Sequence, residues 1–320
     1  MDGSRIFARG KVAALALLLA TPAALPAQVA RAARSTVPAV DAPAARARHV
    51  VVISIDGLRP DAIERAGADN LRRLMREGAW SLRAETILPS KTLPSHTSML
   101  TGVPPEVHGI TWNEDEVGSM GTVGVPTVFD VAEERGLTTA AFFGKAKFRH
   151  LIRRGGSPGW RSAPRGDEVF RAGIVTQQVE QYLRFRTPDL LFVHLADPDQ
   201  AGHRYGWMSW PYRMAVRSAD EAVGRVVRAS ERAFEGDVVV IVTADHGGQG
   251  HGHGSADEVD VRIPWIAWGR GIAPGELPYT VHTYDTAATA LWVLGVPVPA
   301  GWSGRPVAAA FGAGAVQPAR

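Results

Sequence analysis

Apolar runs rich in β-branched residues recur along this chain, and they constrain its fold more than any other feature. The runs lack the alternation of apolar and polar side chains that marks a half-exposed strand, so both faces of each segment must be buried. They cover His49–Ile55, Thr138–Phe143, Leu190–Leu195 and Asp237–Thr243, with Ile263–Trp268 as a shorter candidate. Strands buried on both faces are typical of a parallel sheet that is covered by helices.

Helical patterns separate these runs. They cover Arg59–Glu77, Val128–Glu134, Ile174–Arg186, Tyr212–Ala233 and Tyr284–Leu294. The alternation of strands and helices predicts an α/β fold with a doubly wound, mostly parallel sheet flanked by helices. With 320 residues and 45% apolar side chains, the chain is long enough for such a domain and too apolar for disorder.

The first residues are not expected to belong to the fold. Basic residues are followed there by an apolar run and then by small residues, the order found in secretory signal peptides. Pro22 and Pro26 shorten the run below the ~20 residues that a membrane-spanning helix needs. We therefore expect a signal peptide over residues 1–27, a linker over 28–48 and a single domain over 49–320. Such a protein would be exported, periplasmic or secreted, without a stable membrane anchor.

Charge and cysteine content exclude several classes of protein. The formal net charge is only +3, and the arginines are scattered along the chain. No nucleic-acid-binding surface is therefore evident, although a mild positive bias suits a small anionic substrate. The chain has no cysteine, so its stability must come from core packing without disulfides. The oligomeric state stays open.

Acidic and imidazole side chains directly follow several of the predicted strands. Asp56 follows the first run, Asp199 and His203 follow the third, and Asp245 and His246 follow the fourth. Ligands bind beyond the carboxyl ends of strands in such sheets, so we expect these side chains to meet in one cleft. A strand-end aspartate can simply cap the next helix, but capping does not explain the accompanying histidines. Carboxylates and imidazoles suit Zn²⁺ and related ions, which predicts a metal-dependent hydrolase.

Four sequence motifs resemble those of a known group of enzymes. In chain order they are ISIDGLRPD, PSKTLPSHTSMLTGVPPEVHGI, DPDQAGHRYG and TADHGG. Their length and order resemble the alkaline phosphatase superfamily and, within it, the nucleotide pyrophosphatase/phosphodiesterase branch. The resemblance extends from about His49 to Pro306 and implies an alkaline phosphatase-like fold.

This resemblance implies a site for two divalent metal ions, zinc in the first place. It assigns Asp56, Thr92, Asp245 and His246 to one ion, and Asp199, His203 and a late histidine to the other. It also implies that the Thr92 hydroxyl attacks phosphorus and forms a covalent phosphothreonine, which water then hydrolyses. Asn113 corresponds to an asparagine that donates a hydrogen bond to a non-bridging phosphoryl oxygen.

The last metal ligand departs from the phosphodiesterase pattern, in which a histidine far downstream of the Asp-His motif completes the second site. Here no histidine follows His282, which lies near a predicted helix start. His253 in GHGHG is the expected ligand, with His251 as the alternative, because glycines let a loop fold back onto an ion. Three other histidines are expected to pack or to support the ligands: His96, His108 and His194.

Several other residues stand near the expected site. Lys91 adjoins the expected nucleophile, and Lys145 resembles a phosphate- or sulfate-contacting lysine of related enzymes. Ser90 and Ser95 are further hydroxyls and, like Thr92, could cap the helix that follows. Four aromatic residues in expected loops could stack on a nucleobase or aryl group, or pack beneath those loops, namely Trp160, Trp207, Trp210 and Tyr205.

The sequence as a whole favours an exported hydrolase of phosphoric esters, with phosphodiesters or nucleotide pyrophosphates as substrates. Threonine as nucleophile, together with Asn113, favours diesters over monoesters. The alternatives are a phosphomonoesterase or another ester hydrolase of the same superfamily. A sulfatase is disfavoured because the chain has no cysteine to convert. From a different class, an inactive metal-dependent binding protein would be expected to have lost ligand residues, and none is lost.

Overall fold

The computed structural model describes residues 46–152 and 156–312, and their core is one eight-stranded sheet. The strands are β1 (His49–Ile55), β2 (Ala79–Glu85), β3 (Thr139–Phe142), β4 (Trp160–Ser162), β5 (Leu190–Leu195), β6 (Val238–Thr243), β7 (Arg262–Gly269) and β8 (Gly275–Glu276). Across the sheet they lie in the order β4-β3-β5-β1-β6-β7-β2-β8.

The central strands of the sheet are parallel. β1 lies between β5 and β6, and β3 and β4 continue the parallel arrangement beyond β5. On the other side, β7 runs antiparallel to both β6 and β2. Every residue of β1, β5 and β6 is buried, which explains why these segments read as continuous apolar runs. The mostly parallel α/β fold expected from the sequence is confirmed.

Helices cover the sheet on two sides. They are α1 (Pro60–Arg65), α2 (Asp69–Glu77), α3 (Thr92–Thr101), α4 (Pro105–His108), α5 (Val117–Met120), α6 (Val128–Glu134), α7 (Ala172–Leu183), α8 (Asp197–Tyr205), α9 (Trp210–Ala233), α10 (Glu258–Val261) and α11 (Asp285–Val293), with 3-10 helices η1 (Ala146–Leu151) and η2 (Ala308–Phe311). One group packs around α9 and contains α1, α2, α7 and α8. A second group contains α3, α6 and α11, and both groups contact β1.

The strand β2 is the main element that the sequence pattern did not indicate. Its residues alternate between buried and more exposed positions, and it includes Arg83 and Glu85. It lies near the sheet edge between β7 and the short β8. A half-exposed strand near an edge needs only one apolar face, so it lacks the continuous apolar run that marked the central strands.

The single helix expected over Arg59–Glu77 was wrong, because this segment forms two helices. Gly67 lies between α1 and α2 with a φ of 65°, a left-handed conformation that glycine adopts without steric cost. That turn ends α1 and redirects the chain into α2. The segments between the main strands and helices also contain short elements, including α4, α5, η1, β4 and α10.

The N-terminal predictions fall almost entirely on residues that the structure does not describe. The signal peptide expected over 1–27 lies outside the described residues, as does the linker up to residue 45. Within 46–152 and 156–312, no helix combines the length and apolar character needed to cross a membrane.

Candidate active site

The carboxyl ends of the central strands bring the acidic side chains together. Asp56 follows β1 directly, Asp245 comes shortly after β6, and Asp199 lies in the first turn of α8, just after β5. Backbone hydrogen bonds fix this arrangement: Asp56 N donates to Leu195 O at 2.9 Å, and Asp199 N donates to Asp56 O at 3.0 Å. The sheet topology therefore brings three carboxylates together at the carboxyl ends of the central strands.

Thr92 is the first residue of α3 and lies against these carboxylates. Its side chain is buried, with Oγ1 3.3 Å from His246 Nε2 and 3.5 Å from Asp56 Oδ1. The first N–H groups of a helix have no intrahelical partner, and the helix dipole favours negative charge there. The start of α3 therefore favours an anionic group beside the Thr92 hydroxyl.

Two neighbouring serines that could be mistaken for this residue are engaged elsewhere. The Ser90 hydroxyl donates to Ser255 O at 2.8 Å, and the Ser95 hydroxyl donates to Asp245 O at 2.7 Å. Of the side chains that line the adjoining cavity in the described part of the chain, Thr92 alone carries a hydroxyl. The geometry thus favours Thr92 over both serines as a nucleophile.

A first group of side chains that could bind a metal lies beside the Thr92 hydroxyl and consists of Asp56, Asp245 and His246. His246 Nε2 lies 3.4 Å from Asp56 Oδ1 and 3.2 Å from Asp245 Oδ2. The other oxygen of Asp245 accepts from the backbone N–H groups of Gly57 and His246, each at 3.0 Å. Because that oxygen is held by the backbone, Asp245 presents Oδ2 to His246.

A second group adjoins the first and consists of Asp199, His203 and His253. Asp199 and His203 are four residues apart on α8 and so face the same side of the helix. Asp199 Oδ1 lies 3.3 Å from His203 Nε2 and 3.6 Å from His253 Nε2. The same oxygen lies 4.0 Å from His246 Nε2, so Asp199 connects the two groups.

Backbone carbonyls fix the orientation of all three histidine rings. His246 Nδ1 lies 2.8 Å from Gly247 O, His203 Nδ1 lies 2.9 Å from His251 O, and His253 Nδ1 lies 2.8 Å from Ser90 O. A carbonyl oxygen can only accept, so each Nδ1 carries a proton. In the neutral ring, Nε2 then has a free lone pair, as in metal-binding histidines. This lone pair points toward the other side chains of the two groups, which together are called the cluster below.

Among the described residues, His251, the alternative last ligand, belongs to neither group of possible metal ligands. It is exposed, and its Nδ1 lies 3.0 Å from the backbone oxygen of His203. Of the two histidines in this loop, His253 is the one that approaches the Asp199 carboxylate. The structure therefore favours His253 as the last ligand.

The unsatisfied atoms of the cluster fit divalent cations. Among the described residues, Asp199 Oδ1 and Asp245 Oδ2 are buried carboxylate oxygens without a hydrogen-bond partner. Such an atom normally has a partner, because leaving it unpaired costs about 1–3 kcal/mol. The Nε2 atoms of His203 and His253 also face each other at 3.2 Å. Carboxylates and imidazoles converging in this way form a donor set that suits Zn²⁺ and related divalent ions.

Lys145 holds the carboxylates of both groups from one side. Its Nζ lies 2.6 Å from Asp56 Oδ2 and 2.5 Å from Asp199 Oδ2. In each aspartate, the Oδ1 atom is the oxygen nearer to His246. Lys145 thus turns both carboxylates toward the histidines, whereas the sequence resemblance pointed to a contact with phosphate.

Burial and neighbouring charges shift the pKa values in the cluster, downward for two of the aspartates and upward for Asp245 and His246. Burial opposes the charged forms of Asp56 and Asp199, but attraction to Lys145 holds the pKa of each below its ordinary value. Burial and the nearby Asp56 raise the pKa of Asp245 well above its ordinary value. Burial opposes the charge on His246, yet Asp245 and Asp56 raise its pKa to about 9. Without metal, the Asp245–His246 pair therefore retains a proton at neutral pH.

Two buried histidines, His194 and His96, contact residues of the cluster. His194 accepts from Gly144 N through Nδ1 at 3.2 Å, so its Nε2 donates to Asp56 Oδ2 at 2.9 Å. The Nε2 atom of His96 lies 2.8 Å from Ser54 Oγ, and burial lowers the pKa of this ring well below its ordinary value. Both histidines occupy the supporting positions expected from the sequence.

A cavity of about 270 Å³ adjoins Thr92 and the second group, and Asp199, His203 and His253 line it. Asn113 lines it, and Asn113 Oδ1 accepts from Leu93 N at 2.9 Å. Because the oxygen is used in this way, the NH₂ group of Asn113 is the part that can donate to a ligand. The structure therefore brings together all the expected site residues, Asp56, Thr92, Asn113, Asp199, His203, Asp245, His246 and His253.

Lys147 is a residue of this cavity that sequence reasoning missed. It lies on η1, and its Nζ donates to Asn113 O at 2.6 Å. Burial and the nearby Lys145 lower its pKa, as expected for a cation that is partly removed from water. The tripeptide KAK after β3 was the one signal that could have indicated a second cation here.

The other candidate residues lie outside the cluster. The Lys91 side chain packs near Gly254 and does not line the cavity. Trp207 is buried, and its Nε1 donates to Gly57 O at 3.0 Å. Trp210 is exposed, as is Tyr205, whereas the ring of Trp160 packs against Phe142.

Comparison with known proteins identifies the family. Residues 50–255 match the family model described as type I phosphodiesterase/nucleotide pyrophosphatase. The match covers more than half of the chain and includes every residue of the cluster, from Asp56 to His253.

Two curated proteins are similar over most of this region. GPI ethanolamine phosphate transferase 1 of Candida glabrata is 26% identical over 268 residues, which cover 71% of this chain and 27% of that protein. Ectonucleotide pyrophosphatase/phosphodiesterase family member 7 of Homo sapiens is 26% identical over 218 residues, which cover 62% of this chain and 47% of that protein. The matched region thus spans less than half of either relative.

A solved structure shows the same fold. It is an inactive threonine-to-alanine variant of murine ectonucleotide pyrophosphatase/phosphodiesterase 5 in complex with AMP, with a TM-score of 0.68 and 15% identity. The similarity covers 80% of this chain and 97% of that one. The family model and the shared fold confirm the resemblance seen in the motifs: the chain belongs to the type I phosphodiesterase/nucleotide pyrophosphatase family of the alkaline phosphatase superfamily.

Proposed function

We propose that this chain is a metal-dependent hydrolase of phosphoric esters that acts through a covalent phosphothreonine on Thr92. Phosphodiesters and nucleotide pyrophosphates are the favoured substrates. The proposal depends on one observation: the Thr92 hydroxyl lies 3.3 Å from His246 Nε2 and 3.5 Å from Asp56 Oδ1, at a cavity that opens to the second group. The murine relative of the same fold is inactive when one of its threonines is replaced by alanine, which supports a threonine as the nucleophile.

Two divalent metal ions, zinc in the first place, complete the proposed site. One would be held by Asp56, Thr92, Asp245 and His246, and the other by Asp199, His203 and His253. Bound cations of this kind supply Lewis acidity and lower the pKa of a coordinated hydroxyl. The buried, unpaired oxygens of Asp199 and Asp245 support this assignment.

The reaction follows from what the protein's own groups can do. The Thr92 hydroxyl loses its proton to solvent and Oγ1 forms a bond to phosphorus, while the bond from phosphorus to the leaving oxygen breaks and that oxygen departs with the electron pair, as an anion or after taking up a proton from solvent. The NH₂ group of Asn113 and the backbone N–H of Thr92 donate to non-bridging oxygens as negative charge develops on them. Lys147 adds positive charge to the same cavity wall. Water then attacks phosphorus, the bond to Thr92 Oγ1 breaks, and the hydroxyl is restored.

Transfer of the phosphoryl group to an alcohol is a second candidate function. The similarity to a GPI ethanolamine phosphate transferase favours it. Both reactions share the covalent phosphothreonine, and only the acceptor differs. A phosphomonoesterase and an inactive binding protein remain as further alternatives, although the complete donor set argues against the inactive protein.

We also propose that the protein is exported, on the basis of the signal-like pattern over residues 1–27. Mass spectrometry of the protein purified from its native host would test this directly. A mature chain that begins after the small residues near position 27 is the expected result. A mature chain that retains the apolar run would contradict cleavage.

A panel of substrates at defined zinc concentration tests the proposed activity. Rates would be compared on a bis-aryl phosphate, an alkyl aryl phosphate, a mono-aryl phosphate and an aryl sulfate, each with and without chelator. We expect the highest kcat/KM for a diester, loss of turnover on chelation and recovery on addition of zinc. A phosphorylated product that forms only with added alcohol would favour transfer. An enzyme that is indifferent to chelators contradicts the metal-dependent mechanism.

Zinc binding should release protons at neutral pH. In the metal-free protein the pKa of His246 is raised to about 9, so its ring is protonated at pH 7 and must lose a proton before it can bind a metal. Burial lowers the pKa of His253 to about 4, so that ring is already neutral. Calorimetry in buffers of different ionisation enthalpy should show release of about one proton or more at neutral pH, and zinc affinity should rise as pH approaches the pKa of His246. Binding without proton release would contradict His246 as a ligand.

A further inference from the structure

A second cavity adjoins the proposed catalytic cavity, and we propose that it binds an additional anionic group of the substrate. Its volume is about 310 Å³, and α8, Ala215 on α9 and the segment 169–171 contribute to its walls. Val169 and Gln200 line both cavities, so the two share a wall. The inference rests on the proposed function and specifies which phosphoric esters the site prefers.

Helix α8 faces both cavities. Asp199 and His203 belong to the metal-binding group, whereas Gln200 and Arg204, each one position further along, line the second cavity. Successive helix positions are about 100° apart, since a turn contains 3.6 residues. The His203 side chain is 47% exposed, so the cluster is open on this side. A phosphoryl group near Asp199 and His203 therefore has the second cavity beside it.

The second cavity is positively charged on balance. Arg171 and Arg204 line it, and neither forms an ion pair within the described part of the chain. The one carboxylate of the lining, Asp197, accepts from Ala172 N at 2.7 Å, and burial raises its pKa. Arg171 also attracts Asp197, but the lining has two guanidinium groups and one carboxylate, so positive charge is left for an anionic ligand.

The lining indicates which chemical group would bind. Guanidinium groups suit phosphate and carboxylate, to which they donate paired hydrogen bonds. The Arg204 guanidinium lies 5.2 Å from the ring centre of Tyr205, which is 48% exposed and offers a flat apolar surface. The preferred substrates are therefore diesters or pyrophosphates in which a second anionic group, joined to a planar ring, is attached near the reacting phosphorus.

Two diesters that differ in one charged group test this inference. The first is 4-nitrophenyl phenyl phosphate, and the second carries a phosphonate on the phenyl ring. Both release 4-nitrophenolate, so the ratio of their kcat/KM values reports on the added anion alone. The double variant Arg171→Ala/Arg204→Ala should lower the phosphonate-to-unsubstituted ratio by roughly tenfold or more, the size expected for loss of charge-assisted hydrogen bonds. High salt should lower the wild-type ratio as well, because exposed charges are screened.

Matched variants separate this role from a general effect of charge. Arg186→Ala removes the same charge from an exposed position that precedes β5, at the opposite edge of the sheet, and should leave the ratio unchanged. Arg204→Lys keeps a positive charge and should restore part of the preference. An unchanged ratio in the double variant, or an equal fall in Arg186→Ala, would overturn the inference.

If neither diester is cleaved, the proposed function is contradicted, but the second cavity can still be tested by measuring binding. The uncleaved diesters would be titrated into zinc-loaded Thr92→Ala protein, with and without the arginine substitutions. Tighter binding of the phosphonate diester that depends on both arginines supports the second cavity. Equal affinities for the two diesters would overturn it, whatever the activity of the wild-type enzyme.

Discussion

Replacing Thr92 by alanine should lower kcat on a diester by about 10³-fold or more, while zinc content stays near that of the wild-type protein. The expectation follows from the position of this hydroxyl between His246 and Asp56. No other side chain that lines the catalytic cavity among the described residues carries a hydroxyl to replace it. Steady-state rates on a bis-aryl phosphate, together with metal analysis of the same samples, would measure both quantities.

Two variants on the same helix serve as controls. Thr92→Ser keeps a hydroxyl and should retain a measurable part of the activity. Thr101→Val removes a buried hydroxyl whose donor role is to Thr97 O at 2.7 Å, and it should leave kcat nearly unchanged. If Thr92→Ala turned over at the wild-type rate with its zinc bound, Thr92 would not be the nucleophile.

Replacing Lys145 by alanine should destabilise the metal-free protein by about 3–5 kcal/mol, the usual cost of removing one partner from a buried ion pair. Lys145 is 7% exposed and contacts Asp56 and Asp199, which would otherwise be buried without that cation. Denaturant unfolding in the presence of a chelator would measure the change in the free energy of unfolding. Zinc should reduce the difference, because it supplies positive charge to the same carboxylates.

Lys147→Ala is the matched control for this prediction. It removes the same charge two residues away, but the Lys147 ammonium group donates to a backbone oxygen, Asn113 O, and should contribute less, about 1.5–3 kcal/mol. The pH dependence provides a second check. Lys145 lowers the pKa of Asp199, so its contribution is complete above the ordinary aspartate pKa and is lost as pH falls toward the lowered value. Equal destabilisation by the two substitutions would contradict the role assigned to Lys145.

The fold and the ligand positions could be predicted because both depend on buried parallel strands. A strand that is buried on both faces leaves a continuous apolar run, as β1, β5 and β6 do. The strand ends then indicate where a polar side chain enters the cleft, which located Asp56 and Asp245. The half-exposed β2 and the break at Gly67 left no comparable signal, because each depends on its three-dimensional surroundings.

The contacts around the ligands could not be predicted from the sequence. The choice between His251 and His253 depends on how a glycine-rich loop folds back against Ser90. The contact of Lys145 with two carboxylates depends on the distance between β1 and α8, which no local pattern encodes. Lys147 lines the cavity because of the path that η1 takes after β3, and no local pattern encodes that path either.

The central claim is that the aspartates and histidines of the cluster bind two metal ions beside Thr92. The zinc content per chain, measured on dialysed protein, tests this claim most directly. We predict two ions in the wild-type protein, two in the His251→Ala variant and about one in the His253→Ala variant, because of these two histidines His253 is the one that approaches Asp199. Wild-type protein that is folded but retains no zinc at micromolar concentration would contradict the account. So would equal zinc content in the two histidine variants.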